Sequence, residues 1–65
     1  MTVKELFKLP IYDCGFYFAT ADLKGEYICD TFNFEVDEII EKIGNKKVDG
    51  ITIGDFEELI VRVVL

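Results

Sequence analysis

Apolar residues recur at Val36, Ile39, Ile40 and Ile43, spaced i, i+3, i+4 and i+7. This stripe predicts an amphipathic α-helix within 33–44, N-F-E-V-D-E-I-I-E-K-I-G. Asn33 is placed to cap its start, and Gly44 followed by Asn45 to supply the left-handed residue that ends it. Glu35, Asp37, Glu38 and Glu41 fall largely off the stripe, so they face water or a partner. Acids in the first turns also suit the positive end of the helix dipole.

On either side of this helix the period changes to two. Residues 11–20 read as a strand with Tyr12, Cys14, Phe16 and Phe18 on one face and Asp13, Gly15, Tyr17 and Ala19 on the other. Asp22-Leu23-Lys24-Gly25 reads as a turn, with Asp to start it and Gly free to take positive φ. Residues 26–32 form a second strand with poorer alternation: Ile28 and Phe32 share a face with Glu26 and Asp30, while Tyr27, Cys29 and Thr31 take the other. Residues 47–53 read as a third strand, rich in β-branched side chains. Residues 59–65, L-I-V-R-V-V-L, carry the strongest strand signal and are apolar on both faces. Such a strand is either central in its sheet or covered by another subunit. At the start of the chain, Thr2 and Glu5 have capping-box spacing, with Val3, Leu6, Phe7 and Leu9 as the apolar face of a short helix that Pro10 stops. One or two turns are unstable alone, so Leu6 and Phe7 must dock on the sheet.

The order α-β-β-α-β-β in one domain, residues 1–65, predicts an α+β fold: a short N-terminal helix, two antiparallel β-hairpins forming one four-stranded sheet, and one amphipathic helix packed on one face. The expected core is Leu6, Phe16, Phe18, Ile28, Val36, Ile39, Ile40, Ile43, Ile51, Ile53, Leu59, Val61 and Val63. The doubly apolar last strand, read as an edge needing cover, leads to the expectation of a homodimer.

Composition sharpens this picture. A chain of 65 residues buries only about 60% of its unfolded surface and needs a rich core. A hydrophobic fraction of 51%, with 6 Phe and 3 Tyr, supplies one. Thr2-Val3-Lys4-Glu5 is not followed by the apolar run of a signal peptide, and no apolar run is long enough to span a bilayer, which points to a cytoplasmic protein. Cys14 and Cys29 fall in neighbouring predicted strands several residues out of register. That argues against a disulfide and for free thiols acting as small hydrophobes.

The chemical inventory argues against an enzyme. The chain has no His and no Ser, which removes the Ser–His and Cys–His pairs and a His general base. The five glycines are dispersed, so there is no phosphate-binding loop, and neither acidic cluster has the spacing of a calcium loop. No cofactor or metal is expected.

Charge adds the most specific signal. Thirteen acids against seven bases give a net charge of −6, which disfavours nucleic acid and anionic membranes and permits a partner protein with a basic surface. The acids are also unevenly spread. Residues 25–41 hold Glu26, Asp30, Glu35, Asp37, Glu38 and Glu41 with no base, and 48–58 hold Asp49, Asp55, Glu57 and Glu58 with none. If the helix start and the turn after Ile53 share a rim, Glu35, Asp37, Glu38, Glu41, Asp55, Glu57 and Glu58 form a partner-binding patch whose carboxylates imitate a row of phosphates. Tyr12 and Tyr17 are candidate aromatic anchors. The plain alternative is that these acids only keep an oily domain soluble.

The opening T-V-K-E-L, the acidic central helix and the closing V-D-G-I-T-I-G-D-F-E-E-L-I-V-R-V-V resemble small acidic proteins from phages and mobile elements of Firmicutes. What the resemblance implies is context: many such proteins inhibit host machinery, among them anti-CRISPR proteins and inhibitors of DNA-repair glycosylases. The reading that follows is a non-enzymatic inhibitor, of DNA-mimic type, that binds a host protein through its acidic surface. The alternative is a self-associating accessory module whose partner surface is apolar, around Phe32, Phe34 or Phe56.

Overall fold

The computed structural model describes residues 1–9 and 15–65. The elements run α1 (Val3–Leu6), β1 (Phe16–Thr20), β2 (Tyr27–Asp30), α2 (Val36–Ile43), β3 (Lys47–Ile53) and β4 (Leu59–Val64). The fold is α+β as expected: two helices and one four-stranded sheet. The stop at Pro10, the first residues of the predicted first strand, Tyr12 and Cys14 lie outside the described residues.

The strand order is β2-β1-β4-β3. Each hairpin is antiparallel, and the two meet through a parallel pairing of β1 with β4, Phe16 opposite Leu59 and Phe18 opposite Val61. The sheet is therefore mixed. β4 lies between β1 and β3, which accounts for its apolar residues on both faces and corrects the expectation of an exposed last strand. The edges are β2 and β3.

Register decides which residues are buried. Phe16, Phe18, Cys29, Val61 and Val63 share one face and meet Val3 and Leu6 of α1 and Ile39 and Ile43 of α2 in one core. Phe7, just past α1, sets its ring against Phe16 and Phe18 at 5.6 and 5.8 Å. The capping box at Thr2 forms as expected, with the Thr2 amide donating to the Glu5 carboxylate and the Glu5 amide to Thr2 Oγ1. A single turn survives because the Val3 and Lys4 amides donate to the Lys46 and Gly44 carbonyls and its apolar side is buried.

Two bulges explain most departures from the alternation. In β2 the register shifts between Phe18 and Ala19, so Cys29 faces the core in place of Ile28, which is half-buried, while Tyr27 stays on the open face. In β3 a shift between Val48 and Gly50 puts both Val48 and Ile51 on the helix side, opposite Val63 and Val61. Ile51 and Ile53 nonetheless stay 42% and 75% exposed, because among the described residues no element covers that end of β3. Val36 is exposed too, and Ile40 and Leu59 only half-buried. The true core also includes Val3, which was not expected there.

The β2–α2 turn is held by Asp30. Its carboxylate is nearly inaccessible to solvent and accepts from the Phe32 and Asn33 amides, both at 2.8 Å, from Asn33 Nδ2, and from the Tyr27 hydroxyl. Asn33 is thus engaged with Asp30 instead of capping α2. The cap position falls to Glu35, whose amide donates to Glu38 Oε1. Gly44 ends α2 in the right-handed region, so the predicted left-handed stop is not used. The β1–β2 turn forms as predicted. Asp22 Oδ1 accepts from the Lys24 and Gly25 amides, and Gly25 takes φ 56°.

Burial works to raise the Asp30 pKa, but the hydrogen bonds from Tyr27, Asn33 and the Phe32 amide outweigh it and hold the carboxyl below its ordinary value. The Tyr27 phenol, which donates to that carboxylate, is pushed up to about 12. A depressed Asp contributes stability that is present above its unfolded pKa of about 4 and lost as pH falls through the folded value. A raised Tyr contributes stability present below its unfolded pKa of about 10 and lost as pH rises through the folded one. Asp30→Asn should flatten the acid limb of stability measured by urea unfolding and return the ultraviolet titration of Tyr27 toward 10. An unchanged acid limb and phenol titration would contradict this account.

The same substitution at two positions tests the packing. Ile39→Val should cost about 1 kcal/mol and Ile53→Val less than about 0.5 kcal/mol in urea unfolding. Equal losses would mean that the far end of β3 is covered in solution.

Candidate acidic interface

The topology sorts the charges along the sheet. β2 ends, and β1 and β4 begin, at one end of the molecule; β3 finishes there as well. The start of α2 and the β3–β4 turn therefore leave from the same end. Glu35, Asp37, Glu38, Glu41, Asp55 and Glu57 are all exposed, and Glu58 is half-buried. The two groups depart from opposite edges, however, since β2 and β3 are three strand spacings apart, roughly 14 Å. The acidic rim is two clusters on one end of the sheet, Glu35, Asp37 and Glu38 at the start of α2 and Asp55, Glu57 and Glu58 in the β3–β4 turn; Glu41 lies farther along α2, beside Lys42.

The opposite end takes most of the bases. Lys24 lies in the β1–β2 turn, Lys42 in the last turn of α2, and Lys46 and Lys47 where β3 begins. Lys4 joins them, its amide bonded to the Gly44 carbonyl. Lys8, after α1, is exposed, and its charge helps to hold the Glu5 carboxyl below its ordinary value, behind the larger effect of the Thr2 hydrogen bonds. Lys42 Nζ stands 5.8 Å from the Phe34 ring centroid, a cation–π contact.

Several of the predicted carboxylates hold the backbone. Glu38 accepts from the Glu35 amide, and Glu58 Oε2 from the Phe56 amide at 2.9 Å. The Glu58 carboxylate also lies against Gly54, where a Cβ would overlap it. Glu57 takes φ 66°, a left-handed conformation that costs a non-glycine residue about 1–2 kcal/mol. This strained residue sits beside Phe56, whose side chain is 90% exposed. Asp37, Glu41 and Asp55 present their charge outward from exposed positions.

The open face of the sheet carries an aromatic row. Tyr17 stands 5.5 Å from Phe32 and 6.4 Å from Tyr27, centroid to centroid. The Phe32 ring lies over Gly15, in the space a Cβ would occupy, so glycine is required there for the close approach. Tyr17 was expected as an anchor. Tyr27 was not singled out as an anchor, although the alternation placed it on the face opposite Ile28. Tyr12, the other expected anchor, lies outside the described residues.

Other chemistry is sparse. Among the described residues no group of His, Cys, Asp or Glu is arranged to hold a metal. No helix of the described residues is long and apolar enough to cross a membrane. An open cleft of about 430 Å³ at the basic end is lined by Thr20, Asp22, Asp49, Val63 and Leu65 among others, but its Asp22 carboxylate is engaged in the adjoining turn. Cys29 is a free thiol in the core, its pKa pushed up by burial against a smaller opposing pull from Lys42. With Cys14 replaced by Ser, Cys29 should react with a neutral thiol reagent only through unfolding, its rate rising with urea in step with loss of the helical signal. Rapid labelling in native buffer would contradict its burial.

No family model, curated protein or solved structure matches the chain.

Proposed function

We propose that this protein is a non-enzymatic binding protein that engages a basic surface of a host protein through its acidic end, as the small acidic inhibitors of phages do. The observation that carries the reading is the polarity of charge along the sheet. Glu35, Asp37 and Glu38 at the start of α2 and Asp55, Glu57 and Glu58 in the β3–β4 turn lie at one end, and Lys4, Lys24, Lys42, Lys46 and Lys47 gather at the other, where Asp22, Glu26 and Asp49 offset part of their charge. A polarised domain orients itself in the field of a basic partner before contact, which raises the rate of productive encounter. A groove that binds nucleic acid is a basic surface of this kind, and two carboxylate clusters on one rim can occupy it as phosphates would. The reading requires no catalytic group and no cofactor, and a target of this type works in the cytoplasm.

The alternative accessory module draws support from the exposure of Phe32 and Phe56. The two readings separate in one experiment. The tagged protein is used to capture partners from a Firmicutes lysate and eluted with a salt gradient. The reversal Asp37→Lys, Glu41→Lys, Asp55→Lys avoids the carboxylates that hold the backbone, so melting should change little. Wild type should retain a basic, nucleic-acid-binding protein that elutes at moderate salt, and the triple variant should retain none. Retention of the same partner by the triple variant would overturn the acidic interface.

A further inference from the structure

The outer edge of β3 is half closed by the chain itself. The Val48 amide donates to the Met1 carbonyl at 2.8 Å, and Thr2 bridges Lys47 in antiparallel fashion. This cover stops at Val48. Beyond it, the register fixes which way each peptide group points. Thr52 lies opposite Ile60, and the Gly54 amide donates to the Glu58 carbonyl at 2.8 Å, so Thr52 and Gly54 direct their backbone groups toward β4. Strand geometry then points the N–H and C=O of Ile51 and Ile53 outward, away from β4. Among the described residues no strand pairs with them.

The two edges of the sheet differ in how they are protected. β2 is four residues long, bulged, and ends in Asp30. These are features that discourage strand addition. The open part of β3 reads Ile51-Thr52-Ile53, without charge or proline, and exposes both isoleucines on the helix side.

We propose that this edge pairs with the same edge of a second copy, antiparallel about a twofold axis at Thr52. The segment is self-complementary in that register. Ile51 of one copy meets Ile53 of the other, and the four outward amides and carbonyls of the two segments satisfy one another twice over. Four isoleucine side chains then meet on one face at the axis. The N-terminal cover limits the register, because sliding by two residues toward the start of β3 would drive one copy into the Met1–Thr2 segment of the other, and sliding the opposite way would leave Ile51 without an isoleucine partner. The same alignment carries the Phe56 turn of each copy toward Met1 of its partner, and both side chains are largely exposed in the single chain. The product is a continuous eight-stranded sheet with two acidic ends directed oppositely. With a charge of −6 on each chain, salt should strengthen this association, whereas it should weaken capture of a basic partner.

Sedimentation equilibrium from micromolar to millimolar protein, with amide hydrogen exchange read by NMR over the same range, tests the proposal. The expected result is a monomer–dimer equilibrium in which the Ile51 and Ile53 amides gain protection as concentration rises, while the Thr52 amide is protected throughout. Ile53→Lys changes a mostly exposed position and should leave melting near wild type while weakening the dimer by at least about tenfold. A monomer at millimolar concentration would overturn the proposal, as would a dimer whose Ile51 and Ile53 amides exchange freely or an Ile53→Lys variant that dimerises like wild type.

Discussion

The parallel pairing of β1 with β4 is the contact on which the rest depends. It is the one connection between the two hairpins within the sheet, and it sets Phe16 and Phe18 beside Leu59, Val61 and Val63 on one face. That strip is the floor on which α1 and α2 rest. A domain of this size has one small core, and among the described residues every buried apolar side chain belongs to it. Removing the pairing would leave two hairpins, each too small to bury its apolar face. Phe7 and Leu6 would lose their dock, and the single turn of α1 would lose its reason to form.

Around that floor, polar side chains do the positioning that a short chain cannot leave to packing. Asp30 gathers the amides of Phe32 and Asn33 into one turn and so fixes where α2 begins. Asp22 does the same for the β1–β2 turn, and Arg62 ties that turn down by donating to the Ala21 and Asp22 carbonyls. Among the described residues every buried side-chain nitrogen or oxygen has a partner, as a marginal domain requires. Among the acids, Asp22, Asp30, Glu38 and Glu58 thus shape turns, whereas Asp37, Glu41 and Asp55 stand exposed.

That division bears on function. Glu38 and Glu58, spent on the backbone, are fixed in place, and they hold Asp37 and Asp55 at defined positions on one end of the sheet. Interaction surfaces depend on such preorganisation, since each side chain ordered only on binding lowers affinity. The strained Glu57 and exposed Phe56 beside it concentrate unusual features in a single turn. The open edge of β3 begins directly before that turn. The acidic end and the bare edge are therefore neighbours, and occupancy of one bears sterically on access to the other.

By itself the sequence determined the kinds of elements, their order and the turn between the first two strands. These follow from short-range physics: the 3.6 spacing of Val36, Ile39, Ile40 and Ile43, the capping box at Thr2 and Glu5, the Asp22 to Gly25 turn, and the β-branched run 59–64. It also restricted the chemistry, since a chain without His or Ser has neither a His general base nor a Ser nucleophile. Tertiary structure decided what depends on contacts between distant segments. Whether 59–65 was central or an edge rested on its partners, because a strand apolar on both faces is compatible with either. Cys29 replaced Ile28 in the core because a bulge, invisible in the alternation, shifted the register by one residue. Ile51 and Ile53 face the core side yet remain exposed, because facing the core side and being covered are separate conditions and only the placement of the helices settles the second. The acids at the start of α2 and those of the β3–β4 turn come to one end of the sheet for the same reason. Their spacing along the chain is local, but their meeting is set by the direction in which β1 and β4 run past each other.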